Sequence, residues 1–340
     1  MIVRANEQAG AEWDRFVADA AGGTAFHRAA WQRVCASSMG HECVFLEARS
    51  APDGPLEGVL PLVRVRSRIF GHFLMSMPFV NYGGPLGSDD AIRALVADAV
   101  ERADRERVDL LELRSRLELP VSLPVSHRKI SVLLDLPANA DALFKAFPGK
   151  LRSQIRRPQK AEVRVVISPD TLPDFMRVFS AHMRDLGTPS LGEEFFRALR
   201  EQFGSDLWIA VAYLGEEPIA CGMGFRWGTE FEITWASSLR RHNPLSANML
   251  VYWELMQFAI ANGCTVFNFG RTTPGSPTHR FKQQWGGRDE QLHWYQHRRG
   301  AVAATPSPDA GAFSWGPRIW RRLPLALTTR LGPRVVRLIP

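Results

Sequence analysis

Along the chain, stretches in which apolar residues alternate with polar ones take turns with stretches in which they recur every three or four positions. The alternating runs 43–49 (CVFLEAR), 57–66 (EGVLPLVRVR), 108–114 (VDLLELR) and 129–135 (KISVLLD) predict strands. AEWDRFVADA, FHRAAWQRVCASSM and DDAIRALVADAVERADRER carry apolar residues at helical spacing and predict helices between them. The second half repeats this order. TLPDFMRVFSAHMRDL and LGEEFFRALREQF read as helices, DLWIAVAYL and PIACGMGFRW as strands joined at GEEP, and TEFEITWASS as a further strand. SANMLVYWELMQFAIANG then predicts a helix ending at Gly263, and CTVFNFG a strand.

Laid side by side, TAFHRAAWQRVCASSMGHECVFLEAR from Thr24 matches TPSLGEEFFRALREQFGSDLWIAVAY from Thr188, with Trp31 against Phe195. GPLEGVLPLVR then falls against GEEPIACGMGF, and VDLLELRS against CTVFNFGRT. A repeat of this length is a duplicated domain, because solenoid units are several-fold shorter. Helix, helix, antiparallel strands, helix, strand is an α+β layout with a mixed sheet in each copy. The expected domains are 1–149 and 150–300, the second opening on a basic linker at 150–162, with 301–340 as a basic, proline-containing tail. Within the linker, Lys150, Arg152, Arg156, Arg157 and Lys160 precede any acid. They make either a solvated helix stopped by Pro158 or an anion-binding face.

With 45% hydrophobic residues in 340, the chain can build two cores. The net charge of +7 is concentrated at the end: after Asp309 there is no acid, but six arginines follow. The remainder is near neutral, which argues against a broad DNA-coating face and for local contacts with anions. Four cysteines without a CxxC pair indicate neither a disulfide framework nor a metal site. No run reaches the roughly 18 apolar residues of a spanning helix, and the start has no signal-like apolar core, so a cytoplasmic location is expected. In the tail, arginines and tryptophans suit either peripheral contact of 311–340 with an anionic inner-membrane surface or packing back onto a domain. Pro317, Pro324 and Pro333 exclude one continuous helix there.

The segment 268–287, NFGRTTPGSPTHRFKQQWGG, is unlike the rest of the chain. The strand before it delivers Arg271 and Thr272 to its C-terminal end, where a Gly/Pro-rich loop can close over a ligand. A forked guanidinium there suits a phosphate or carboxylate, and its plainer use is to tie the loop to a neighbouring acid. GxSxG, HExxH and metal-ligand spacings are absent, so no nucleophile triad or metal is indicated.

Taken together, the duplicated element order, RSQIRRPQKAEVRV, MRDLGTPSLGEEFF and FGRTTPGSPTHRFKQQWGG resemble the FemAB family of tandem GNAT-fold transferases. The likeness is greatest to the FemAB-like branch associated with exosortase (PEP-CTERM) and exopolysaccharide systems, and it extends to the segment WRRLPLALTTRLGPRVVRLIP. It implies two GNAT-like domains and transfer of an acyl or aminoacyl group to an amine of a cell-envelope or exopolysaccharide precursor. No cofactor is then tightly bound, and the donor is aminoacyl-tRNA or acyl-CoA. The long helical arm that some members use for transfer RNA has no counterpart in this sequence.

By the same resemblance, Lys282 contacts acceptor phosphates and stabilises developing charge. Glu232 stands where GNAT enzymes often place a catalytic carboxylate, its plain alternative being a solvated strand residue on the face opposite Phe231, Ile233 and Trp235. His279 can take a proton near neutral pH or be an exposed loop residue. Phe281 and Trp285 can stack on a ligand or staple the loop. Arg240 and Arg241 precede a helix whose N-terminus attracts anions, although the glycines of the usual acyl-CoA loop are missing. His182 and Thr188 are candidates for an acceptor cleft, Arg156 for an anion contact, and Tyr82 for acceptor binding in the first copy. Ser190 and Glu193 have capping-box spacing. Two alternatives stay open: an acyl-CoA-dependent N-acyltransferase of small amines or peptides, and a non-catalytic scaffold for anionic lipid or polysaccharide.

Overall fold

The structure, a computed structural model, describes residues 1–300 and 315–339. They form two compact units, one built on Met1–Lys129 and one on Ile130–Glu290.

In the first unit the alternating runs become the antiparallel strands Glu42–Arg49 and Leu56–Ser67, with Val44 opposite Leu62 and Leu46 opposite Leu60. The sheet runs Ile2–Ala5, Glu42–Arg49, Leu56–Ser67, Gly71–Ser76, Leu110–Ser115, His293–Arg298, Val125–Ser126. One pairing, Gly71–Ser76 with Leu110–Ser115, is parallel, because the helix Asp89–Arg105 lies between them in sequence. That helix starts where Ser88 accepts the Ala91 N–H, with acids in its first turn and arginines in its last, as the helix dipole favours.

The second sheet has the same order: Arg164–Ile167, Leu207–Leu214, Glu217–Trp227, Glu230–Ser238, Val266–Thr272, Ile130–Asp135, Arg288–Gln291. Its parallel pair is Glu230–Ser238 with Val266–Thr272, connected through the helix Ala247–Ala261. That helix is apolar all round because both its sides are covered. Phe231 and Ile233 of the sheet share one core with it, and Phe144, Leu151 and Ile155 close over its outer side. On the opposite face, the helix Glu193–Phe203 brings Phe195 and Phe196 against Trp235, and the helix Leu172–Leu186 packs Phe175 and Phe179 on Phe196. Trp31 and Phe195, matched in the repeat, are both buried.

Three expectations are corrected, and of the two open readings of the tail the structure shows the packed one. The units do not divide at 149/150: Ile130–Asp135 pairs beside Val266–Thr272, while the returning strand His293–Arg298 completes the first sheet along Leu110–Ser115. The basic linker is a helix solvated on one face and buried on the other, and Pro158 does not stop it. The helix Gly149–Lys160 runs two residues past the proline, which lacks the N–H that would bond back to the Gln154 carbonyl, and Leu151 and Ile155 are buried with Pro158. Gly192, not Ser190, precedes the helix Glu193–Phe203, and no side chain caps it. Ser190 is instead buried against Gly332. Last, the tail is helical at Trp315–Trp320 and Leu325–Val336 and lies on the 186–192 turn: Arg321 donates to the Leu186 carbonyl at 3.0 Å, and Pro333 abuts Gly192. Residues 301–314 lie outside the described residues. Among the described residues no helix is long and apolar enough to cross a membrane.

Candidate active site

The parallel strands of the second unit stay paired for only three positions, Glu230 with Val266, Phe231 with Phe267, and Glu232 with Asn268. Beyond them both strands continue but part. On one side the register slips against Glu217–Trp227 near Met223 and Gly224; on the other it slips against Ile130–Asp135 between Asn268 and Arg271. Gly270 makes the second irregularity with φ of 69°, a left-handed conformation that glycine adopts without strain. The parting opens a wedge at the carboxyl ends of parallel strands, where open α/β sheets bind ligands.

Lys282 closes this wedge. Ser276 accepts the His279 N–H and starts the short helix Pro277–Gln283, which swings Lys282 back over the strand end. Its Nζ donates to the carbonyls of Gly270 at 2.7 Å and Arg271 at 2.8 Å, the two that the bulge turns out of the ladder. Only 5% of Lys282 is exposed. Burial drives its pKa down to about 7, the Glu232 carboxylate opposes that shift, and the Arg271 guanidinium adds to it. An ammonium has three N–H bonds, so one is left to point at a ligand.

Glu232 is buried as well, so the solvated reading is excluded. Its register partner Phe225 packs its ring on Phe203 and Trp235. Trp235 therefore shares Glu232's face rather than opposing it, because the slip at Met223/Gly224 breaks the strict alternation. Asn268, fully buried, holds the site together: its Nδ2 donates to Glu230 at 2.8 Å and to Glu232 at 3.3 Å, while its Oδ1 accepts the Gly270 N–H at 2.8 Å. Sequence reading passed over Asn268. The available signal was an amide at an inward position of an otherwise apolar strand.

The other candidates separate. His279 accepts the Gly275 N–H at Nδ1 and meets Asp289 at 3.1 Å through Nε2, so both ring nitrogens are engaged in clamping the loop. Neither nitrogen is thus left facing a substrate amine, which argues against His279 as the base. Thr272 joins the same clamp through Ser276, 3.2 Å from hydroxyl to hydroxyl. Phe281 and Trp285 pack on Tyr252, and Trp285 also on Phe147 and Phe269; they are core, not stacking surface. His182 and Arg240 do come together. Arg240 donates to the Asp185 carbonyl at 2.9 Å, and burial and then Arg240 lower the His182 pKa. The buried Nδ1 of His182 has no protein partner. Thr188 lies just beyond, in the turn closing that helix. Arg241 turns away to pair with Glu217. Arg156 is exposed on the helix Gly149–Lys160, with its guanidinium over Phe144. Tyr82 belongs to the first unit, where it is buried edge-on to Phe26.

The helix Ala247–Ala261 begins beside the end of the strand Glu230–Ser238. Ser246, in a left-handed conformation with φ of 58°, supplies no side-chain cap. The Met249 N–H bonds back to the Ser246 carbonyl at 2.9 Å, and no side chain caps the N–H groups of Ala247 and Asn248 before it, the kind of helix start that suits an anion. Among the described residues no cluster of side chains could hold a metal. Cys221 and Cys264 are buried thiols whose pKa values burial raises, so neither is a poised nucleophile.

This architecture is the tandem GNAT fold, the fold of the FemAB resemblance. Residues 146–283, which lie within the second unit, match the model of the acetyltransferase (GNAT) domain. Among solved structures, that of FemX superposes with a TM-score of 0.63 at 15% identity, over 87% of this chain and 97% of that one. L-PGS from Bacillus licheniformis gives 0.56 at 14% identity, over 98% and 99%. A tandem GNAT protein from the clavulanic acid biosynthesis pathway, solved without AcCoA, gives 0.52 at 13% identity, over 83% and 90%. No curated protein matches the sequence.

Proposed function

We infer that the protein transfers an acyl or aminoacyl group to an amine by direct attack in the second unit, without a covalent enzyme intermediate. The observation that carries this reading is Lys282, buried at the parting of two parallel strands beside Glu232, with one N–H unassigned. A carbonyl placed in the wedge would receive that N–H as its oxygen gains charge, and oxyanion stabilisation of this kind is the largest single term in acyl transfer. The amine nitrogen forms the new C–N bond, Glu232 takes its surplus proton, and the leaving thiolate or alkoxide departs with a proton returned to it. The uncapped N-terminus of Ala247–Ala261 suits the phosphate of a CoA thioester or of a charged RNA end.

The acceptor is an amine on an anionic cell-envelope or exopolysaccharide precursor. The likeness of the fold to FemX and L-PGS supports this reading. Purified protein incubated with acyl-CoA or charged transfer RNA and a panel of amino-sugar, peptide and lipid-headgroup amines should give an acceptor mass increased by the acyl group. Transfer that persists undiminished in Lys282→Ala, or none across the panel, overturns the reading.

A further inference from the structure

The helix Gly149–Lys160 carries Lys150, Arg152, Arg156, Arg157 and Lys160 and no acid. None of the five pairs with a carboxylate among the described residues. Arg152, Arg156 and Lys160 stand four residues apart, on one face and about 6 Å from one to the next along the axis. With Gly149, Ser153 and Arg157 they line a groove of about 540 Å³. The two small residues leave its floor open, and nothing stands within 4 Å of where a Cβ on Gly149 would be. Behind this lining the Arg152 Nε is buried without a hydrogen-bond acceptor, which is costly for a guanidinium and is offset if an anion in the groove meets the rest of that guanidinium. The inner face of the helix, Leu151 and Ile155, is fixed in the core, so the cations are held rather than dangling.

Position gives the groove its meaning. Arg157 donates to the Pro244 carbonyl at 3.2 Å, in the turn Arg240–Leu245 that leads into the uncapped helix Ala247–Ala261. Two anion-binding features, an open helix N-terminus and a row of cations, thus flank one turn. A nucleotide-bearing donor has phosphates at two such places. Coenzyme A has a pyrophosphate and a separate ribose phosphate, and the end of a charged RNA has a string of phosphodiesters. We propose that the groove on Gly149–Lys160 grips the outer phosphate of the donor's nucleotide end, while the start of Ala247–Ala261 takes the inner one. This rests on the acyl-transfer reading for the identity of the ligand but not for the groove's affinity.

The probes are adenosine 3′,5′-bisphosphate, coenzyme A and a short single-stranded RNA ending in CCA, titrated by calorimetry at low and moderate salt. At least one should bind, with affinity falling as salt rises. Arg152→Gln/Arg156→Gln should weaken it by roughly tenfold or more, and the exposed Lys160→Gln by less. Which probe binds distinguishes coenzyme from RNA. Lys160→Gln and an unchanged melting temperature guard against a folding artefact. Lys282→Ala should bind normally and fail only in transfer. Equal affinity of wild type and the double variant overturns the groove while leaving the transferase reading intact. So does binding of anionic vesicles in place of every nucleotide probe. Transfer lost with nucleotide binding intact overturns the function instead.

Discussion

The two units build the same sheet, and at the same place they do opposite things. In each, two parallel strands pair at three positions: Phe73, Leu74 and Met75 with Leu110, Leu111 and Glu112 in the first; Glu230, Phe231 and Glu232 with Val266, Phe267 and Asn268 in the second. Beyond these pairs the carbonyl of Arg271 receives the Lys282 ammonium at 2.8 Å. The matching carbonyl, that of Arg114, receives the backbone N–H of Gly83 at 3.0 Å. Residues 77–84 of the first unit thus run along the strand end with their own chain. Gly84 lies so close that a Cβ would stand 2.9 Å from the Arg114 carbonyl. Met77 and Phe79 take left-handed backbone conformations, with φ of 53° and 73°, to make the path. His27, held neutral by burial that lowers its pKa to about 4, meets the Gly84 carbonyl at 3.0 Å and pins the segment.

The charges differ in the same sense. Met75 occupies the register position of Glu232, and the first unit's carboxylate, Glu112, sits across the pair. There it is paired with the Arg114 guanidinium at 2.8 Å and accepts the Gln296 side-chain amide at 2.6 Å, with Trp294 under the guanidinium. One copy uses buried charge to hold itself shut. The other buries a lysine and a glutamate where its two parallel strands part. On the proposed function, duplication freed one strand end for chemistry and the other for structure.

Exchanging the kinds of damage tests this. The largest effect is expected in the first unit: Arg114→Ala leaves Glu112 buried without its cation and should cost about 3–5 kcal/mol in a denaturant melt while sparing the turnover number of the remaining folded protein. Lys282→Ala should do the reverse, lowering turnover about 10²–10³-fold in a single-turnover assay with little loss of folding free energy. If either variant behaves like the other, the division of labour is wrong.

A smaller, pH-dependent effect follows from Lys282. Burial lowers its folded pKa to about 7, so between that value and the ordinary lysine value the folded state holds fewer protons than the unfolded chain. Stability from this residue therefore rises with pH through that window, and the penalty of its buried charge is fully present below about 7. Lys282→Met should melt higher than wild type near pH 6 and lose that advantage towards pH 10. A constant difference in melting temperature across the range contradicts the burial argument. The smallest effect is Ser190→Ala: with Gly192 and not Ser190 at the helix start, it should cost less than the roughly 1 kcal/mol of a lost cap.

Much of the fold was legible because its elements obey period. The repeat placed Leu207–Leu214 on Glu42–Arg49 and Glu217–Trp227 on Leu56–Ser67, and the sheets agree. What stayed hidden depends on distant partners. His293–Arg298 is a polar run that becomes a strand only beside Leu110–Ser115, so the domain boundary could not be read locally. At the site, Lys282 and Glu232 were visible through the resemblance, but Asn268 and the Gly270 bulge were not, since a register slip has no local sequence signature. His279 misled because a histidine near neutral pH looks poised whatever its nitrogens touch.

The most direct measurement is a structure with a non-hydrolysable donor analogue, a CoA thioether or an aminoacyl-RNA amide, bound to the full chain. The account predicts its carbonyl-equivalent group in the parting of Glu230–Ser238 and Val266–Thr272, within hydrogen-bond reach of the Lys282 Nζ. A ligand seated at the Gly83–Arg114 strand end of the first unit, with Lys282 still bound only to its two carbonyls, would contradict it.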